Sequence, residues 1–553
     1  MFNKTAMFAV VVLIVAGFSA SASALSKPGA VVDATLVKDG TAASVIVTAE
    51  TSRNSSHRMP LLMPDDFEEL NLAAWRVEQG RPDAANPLLV PKMPWDAGGI
   101  MAHGTVLHDP IDGLWKAWQI SRPATATEAV SLSKSSDQYR RRLTYLESKD
   151  GLTWYRPNLS IVSWPGYEKT NILFDNNVHG SWTFPNVLID PDNREWPYEM
   201  FIVWNGRKVK KDLTLFGAPG PTKHKRAAYR FRSKDGKHWE IVEGPLYFVR
   251  QDTVFIFKNP DKSYTGYTKL YIKKQPFTHL PVYDNASSDR IRVITAMTSS
   301  DGTNWSDQET VMVPDWRDPS DLQYLEISRT PVKGGFVGLI TVYHTNIQTM
   351  DVQFIASRDG LGWWSPDRRS ALPNPPLGDF GGGMIWLMKD PVIEGNLMHV
   401  YYGGTEGLHG EIFDSRVKER LQARGETTAG VRTPCLPCYS ALCRATWDYD
   451  RLWALVPSAG GPFYAAAVTK KQDCAGKKLW ANVKVKPQGK FEAELLDNQG
   501  QPIPKFSRQD CSAVTGDQRC IKMKWKGGNT APKGTAKIKF YLTRAFLYGF
   551  EWK

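Results

Sequence analysis

"SKDGLTW" occupies residues 148–154, and the same frame, Ser-x-Asp-Gly-x-x-Trp, returns as "SKDGKHW" at 233–239, "SSDGTNW" at 299–305 and "SRDGLGW" at 357–363. Asp-Gly supplies the positive-φ backbone that a tight hairpin demands. The Ser and Asp side chains can bond the turn backbone, and the Trp can fill the wedge beside it. An architectural role accounts for every position, so no catalytic role is assigned to the motif.

Each copy follows a similar run. "HGTVLHDPIDGLWKAWQIS" (103–121), "FPNVLIDPDNREWPYEMFIVW" (184–204), "DTVFIFKNPDKSYTGYTKLYI" (252–272) and "LQYLEISRTPVKGGFVGLITVYH" (322–344) each read as strand, turn, strand. A fifth run, "GGGMIWLMKDPVIEGNLMHVYYGG" (381–404), continues after an insertion into "ALCRATWDYDRLWALV", which places Asp450 and Trp453 where the other units carry Asp and Trp. The turn prolines Pro110, Pro191, Pro260, Pro331 and Pro391 are spaced 81, 69, 71 and 60 residues apart. Four-stranded units repeated at this period build a propeller. The expected fold is all-β: a five-bladed β-propeller over 86–456 followed by a β-sandwich over 457–553, with 1–24 as a signal peptide and 25–85 as an N-terminal extension holding a β-hairpin around Lys38-Asp39-Gly40.

Composition agrees with an all-β chain: 20 Trp among 553 residues, many Asp-Gly and Pro turns, and few long helical patterns. Lys4, the apolar run "MFAVVVLIVAGF" and the small residues of "SASALS" read as an export signal cut after Ala24. The run is too short to span a bilayer. The protein is expected to be secreted or periplasmic, soluble, monomeric and without a membrane span. The charge is 69 − 57 = +12, and from Cys474 to Lys553 there are 16 basic against 6 acidic residues, a surplus of +10. Such a surplus reads either as a soluble basic surface or as attraction to an acidic polymer, which outside the cytoplasm means a sulfated or uronic-acid polysaccharide or an anionic envelope rather than nucleic acid. All six Cys lie between 435 and 520. Cys511 and Cys520 flank "SAVTGDQR" and are the expected disulfide. "CLPC" has no second CxxC and no His pair beside it, so no metal is assigned to the thiols.

The Asp-Gly motif resembles the Asp-box of sialidases, one residue shorter between Asp and Gly. The five-unit count resembles the propeller superfamily of invertases, levansucrases and arabinanases, over roughly residues 86–456, in a branch with a trailing sandwich. That resemblance implies a glycoside hydrolase acting through paired carboxylates in the central pocket, on a poly- or oligosaccharide. The superfamily's "NDP", "RDP" and Glu-Cys signatures are absent from the expected strands.

Inner strands converge on one channel in a propeller, so residues at their starts are the candidates. These are Asp96, Asp252, Asp321 and Asp379 as catalytic carboxylates, and His103, His179, Trp182, Tyr324, Trp386 and Glu406 as sugar contacts. Glu326 is expected to point away from the channel, because strand alternation separates it from Asp321. Asp109, Asp190, Asp192, Asp261 and Asp390 are set aside as turn residues. No cofactor is implied; a structural cation in the channel is compatible with the pattern. A non-catalytic carbohydrate-binding propeller is the alternative reading.

Overall fold

The structure is a computed structural model that describes residues 31–32, 48–49, 58–96, 99–122, 142–174, 182–205, 214–216, 218–219, 226–246, 248, 251, 253–273, 290–409, 440–458 and 463–553. It divides into two units, 1–58 and 59–553. In the first, Val31–Val32 pairs antiparallel with Thr48–Ala49; the expected turn around Asp39 lies outside the described residues.

The second unit is all-β. Strand pairing sorts most of it into five antiparallel meanders. The first runs Gly99–Ile100 and Thr105–His108, Trp115–Arg122, Arg142–Ser148, Trp154–Tyr155. The second is Trp182–Ile189, Tyr198–Asn205, Arg226–Ser233, Glu240–Leu246, and the third Val254–Lys258, Tyr264–Lys273, Arg290–Ser299, Glu309–Met312. The fourth, Leu322–Val332, Gly335–His344 and Thr349–Ser357, is completed by the bridge from Ala356 to Trp364. The fifth comprises Met384–Leu387, Leu397–Thr405 and Ser440–Asp448.

The fifth meander closes in an unexpected way. Its outermost strand is Arg81–Pro82, paired through Thr446↔Arg81 and Ala445↔Pro82. Trp453–Pro457, the segment expected there, instead pairs with Ala73–Val77 and, through Leu455↔Leu547, with Lys537–Trp552. "DYDRLW" has no glycine at the turn position, so the chain leaves the sheet rather than doubling back. Strand pairing therefore crosses both expected boundaries, 85/86 and 456/457. The tail strands, with Phe67–Asn71 and Ala73–Val77, form one seven-stranded antiparallel sheet around Phe67, Leu479, Phe491, Trp525, Phe540 and Leu542.

The Asp-Gly turns explain how the meanders join. Within each motif the Ser hydroxyl accepts from the glycine N–H (2.9 Å at Ser148, Ser233 and Ser299; 2.8 Å at Ser357). The Asp carboxylate accepts two further backbone N–H groups, such as those of Leu152 and Thr153 at Asp150. The four glycines have φ of +70, +75, +79 and +79°. Each turn is then gripped by the preceding meander. Trp118 donates to the Gly236 carbonyl (2.7 Å), Arg230 to that of Asp301 (2.8 Å), Tyr267 to that of Gly360, and Tyr401 to that of Gly151 (2.7 Å). Three of the motif tryptophans also meet the gripping meander: Trp154 on Tyr401, Trp305 on Phe201 and Trp363 on Tyr267, with ring centroids at 5.7, 6.0 and 5.9 Å. The Tyr401–Gly151 contact joins the fifth meander to the first, so the series is cyclic. Between the fourth and fifth the link is the parallel bridge Met350↔Met384. On the inside, Lys389 donates its backbone N–H to Gly104 (2.7 Å), and the Asn186 amide spans to Val254 and Ile256.

The expected disulfide is absent: Cys443, Cys474, Cys511 and Cys520 are free thiols. Cys511 pairs beside Trp525, while Cys520 lies in Asp517–Lys522 along the long strand Leu479–Leu496, so the segment between them is not a simple hairpin. Cys435 and Cys438 lie outside the described residues. Among the described residues no helix is long and apolar enough to cross a membrane.

Two stability predictions follow from the gripped turns. A Cβ at Gly236 would stand 2.8 Å from Trp118, whereas one at Gly113, also at positive φ, would meet nothing within 4 Å. Gly236→Ala is expected to cost ~2–4 kcal/mol and Gly113→Ala only ~1 kcal/mol in urea unfolding, because only the first adds a clash to the backbone strain. The second concerns acid. Burial opposes the charge of Asp150, but the N–H groups of Thr153 and Leu152 outweigh it and take its pKa down to about 2. Asp235 is held at about 2 in the same manner, by the His238 backbone and ring. A depressed carboxylate stabilises the fold above its unfolded pKa near ~4 and loses that contribution as pH falls through the folded value. Stability should fall between about pH 4 and pH 2, and the double variant D150N/D235N should show a shallower fall over that window.

Candidate functional site

Equivalent second-strand positions, three of which grip a turn (Trp118, Tyr267 and Tyr401), also fix a ring of side chains on the inside. Trp118, Phe201, Tyr267, Leu339 and Tyr401 stand opposite Thr105, Asn186, Phe255, Ser328 and Met388 on the inner strands. Two residues earlier on those strands lie His103, Phe184, Thr253, Glu326 and Trp386. These five occupy equivalent places, and several touch. The His103 ring centroid is 4.7 Å from Trp386 and 4.8 Å from Phe184. His103 Nδ1 is 3.0 Å from Glu326 Oε1, although the first and fourth meanders are far apart in sequence.

Local backbone irregularities aim these groups. The pairing of Trp182–Ile189 slips between Thr183 and Asn186, and that of Leu322–Val332 slips between Tyr324 and Ile327. Each slip is a β-bulge, which re-aims a side chain. Ala102, His103 and Phe184 have φ of +54, +51 and +56°. Strained non-glycine backbone of this kind persists only where its surroundings enforce it. The bulge at Leu325-Glu326 breaks the alternation from Asp321 and turns Glu326 inward, against the expectation.

The pair is almost fully enclosed, with side-chain exposures of 4% for His103 and 1% for Glu326. Nδ1 and Oε1 are close but off-line, so the contact is electrostatic rather than an aligned hydrogen bond. Glu326 Oε2 has no hydrogen-bond partner among the described residues. Around the pair stand Trp386 and, beyond it, His409 (6.4 Å between centroids), whose ring also meets Tyr343 at 4.8 Å. The setting is one imidazole–carboxyl pair in an aromatic enclosure.

The other candidates are placed as follows. Asp96 is buried, with Oδ1 taking the backbone N–H groups of Lys92 and Met93 and Oδ2 bound to Arg156 (2.6 Å). Both its oxygens are engaged in holding the turn that leads into the first meander. Asp321 is half-buried and anchors the turn 345–348, through its carbonyl to Thr345 and its carboxylate to the Asn346 N–H (3.2 Å). Asp379 is exposed and lines a cavity of about 600 Å³ together with Glu406, Phe380 and Tyr402. Asp252 and His179 lie outside the described residues. Trp182 is buried among Phe174, Phe216, Tyr229 and Phe231, and Tyr324 is buried with its hydroxyl on Asp318 and Arg368. Neither side chain faces the enclosed pair. Asp109 and Asp190, set aside as turn residues, bind Lys116 (2.6 Å) and Lys258 (3.0 Å) at the far ends of their strands.

No protein-family model matches the chain, and no curated protein matches it. Among solved structures, a β-1,2-mannobiose phosphorylase from Listeria innocua is 13% identical, with 68% of this chain and 98% of that one covered and a TM-score of 0.41. A glycoside hydrolase is 10% identical (68% and 92%; TM-score 0.39), and an N-acetylgalactosamine deacetylase from F. plautii 11% (73% and 97%; TM-score 0.37). At these scores the likeness carries no statement about chemistry.

Removing one partner of a buried polar pair leaves the other unsatisfied. His103→Ala should destabilise the protein by ~1–3 kcal/mol, whereas the apolar pair His103→Phe/Glu326→Leu should recover most of that loss. A double-mutant cycle in urea checks both; independent, additive effects would mean that the two residues do not meet.

Proposed function

We propose that the protein is an exported glycoside hydrolase acting on a poly- or oligosaccharide, with Glu326 as its proton-transferring carboxyl. One observation supports this above the others: a bulge turns a carboxyl into an aromatic enclosure, with one oxygen on an imidazole from across the ring and the other without a partner among the described residues. In glycoside hydrolysis one carboxyl protonates the leaving oxygen, and a second attacks the anomeric carbon or activates water. In this reading Glu326 delivers the proton and His103 holds it in place. Trp386 and Phe184 present apolar faces to the sugar, and Asp321 or Asp379, on the loops that enter the fourth and fifth inner strands, supplies the second carboxylate. The polymer is acidic in this reading, given the basic surplus of the tail.

The alternative is a carbohydrate-binding propeller without turnover. The near-complete enclosure of Glu326 favours it, because a reacting sugar must reach that carboxyl. Incubation with a panel of neutral, uronic and sulfated polysaccharides, read by release of reducing ends, separates the two. Under the hydrolase reading the wild type releases sugar, and Glu326→Gln lowers kcat by ~10²–10⁴ while binding in affinity gels persists. Asp321→Asn or Asp379→Asn should match that loss, whichever carries the second carboxylate. Binding without any release by the wild type would establish the alternative.

A further inference from the structure

Four of the sixteen basic residues of the tail meet at one corner of its sheet. Trp480 stands opposite Lys522 on one neighbouring strand and opposite Glu551 on the other. One rung outward, Lys478 and Lys553 exchange backbone hydrogen bonds of 2.6 and 3.0 Å. Lys524 follows Lys522 at the alternation that keeps both on the outer face, with Met523 and Trp525 buried between and beyond them. Three strand ends thus carry four lysines at one corner, two of them beside one indole.

The indole organises the charges. The ammonium groups of Lys522 and Lys553 each lie 5.7 Å from the Trp480 ring centroid. Two like charges are therefore held beside one ring by cation–π attraction, instead of dispersing into water. Glu551 is the acid at this corner, and its two oxygens are taken by Lys553 (2.6 Å) and Lys333 (2.5 Å). Lys478, Lys522 and Lys524 form no ion pair among the described residues. On the rest of the tail some lysines are matched, with Lys490 on Glu492, Lys526 on Asp510 and Lys537 on Glu68, while Lys505, Lys533 and Lys539 form no ion pair among the described residues.

We propose that this corner is a docking site for an anionic polysaccharide, the sulfate or carboxylate groups of successive sugars meeting Lys478, Lys522, Lys524 and Lys553. Charge complementarity is the argument: Lys478, Lys522 and Lys524, which form no ion pair among the described residues, stand together beside the Glu551-paired Lys553, and cations gathered in this way lower the cost of collecting a polyanion. The choice of a polysaccharide over other polyanions rests on the hydrolase reading, in which the tail holds the polymer that the ring cuts.

Affinity electrophoresis of the full chain in gels containing chondroitin sulfate or polygalacturonate tests it, with dextran gels as the neutral control. The wild type should be retarded in at least one anionic gel and not in dextran, with retardation lost as salt is raised. The triple variant K478Q/K522Q/K524Q should bind about tenfold more weakly. A control with the same charge loss elsewhere on the tail, K505Q/K533Q/K539Q, should change affinity less than twofold, or about that. Equal losses in the two triples would overturn the site in favour of a diffuse field. Tighter binding to duplex DNA, or to vesicles with anionic headgroups, than to either glycan would overturn the choice of partner. The hydrolase reading is scored separately: sugar release by the wild type with no retardation sinks the docking site alone, and retardation without release sinks the hydrolase alone.

Discussion

An aromatic or arginine side chain gripping the next sheet's Asp-Gly turn is the constraint on which this architecture rests. A meander of four short strands has two exposed edges and one apolar face too many to be stable alone. Here its last hairpin is inserted into its neighbour. The glycine is required twice over, by positive φ and by the ring or guanidinium lying where its side chain would be. The Ser and Asp of the motif satisfy the turn backbone internally, so that the outward-facing carbonyl is left for the neighbour's donor. Repeated from Trp118 to Tyr401, the contact returns to the first turn and closes on itself.

Closure has a functional consequence. Three of the gripping residues, Trp118, Tyr267 and Tyr401, face across the sheet the inner-strand residues that follow the axial set by two. In those three meanders one register determines both the outer grip and the place of His103, Thr253 and Trp386 in the inner ring, which Phe184 and Glu326 complete. Bulges in the second and fourth inner strands, and the positive-φ residues Ala102 and His103 in the first, depart from ideal pleating at that level. Three of the positive-φ non-glycine residues, Ala102, His103 and Phe184, lie where a carboxyl and an imidazole from remote parts of the chain meet in an aromatic enclosure. The ends of the chain reinforce the ring: residues 67–82 give two strands to the tail sheet and then the outermost strand of the fifth meander.

Much of the fold was legible because its signals are local. Turn chemistry at four Asp-Gly sites and the proline spacing are contained within short windows, and they located the units and their order. What was not legible depends on register or on distant pairing. Alternation counted from Asp321 sends Glu326 outward; one inserted residue in the pairing reverses that, and nothing in "DLQYLEIS" announces it. Trp182 and Tyr324 have the composition of sugar contacts but are consumed by packing and by the Asp318–Arg368 network. Asp96 has the placement of a catalytic acid, yet Arg156, sixty residues on, occupies it. The strand at Arg81–Pro82 is two residues long and carries no pattern. Cys511 and Cys520 are close in sequence, but the edge strand between them runs along the sheet instead of folding back.

The closed ring is the central claim, and its most direct test is the coupling of Tyr401 to Trp154. These residues belong to the last and first meanders, and their rings meet edge-on at 5.7 Å only if the series is cyclic. A double-mutant cycle with Tyr401→Leu and Trp154→Leu, measured by urea unfolding, should give a coupling energy of ~0.5–1.5 kcal/mol. A coupling indistinguishable from zero, with each single variant destabilising on its own, would contradict the ring.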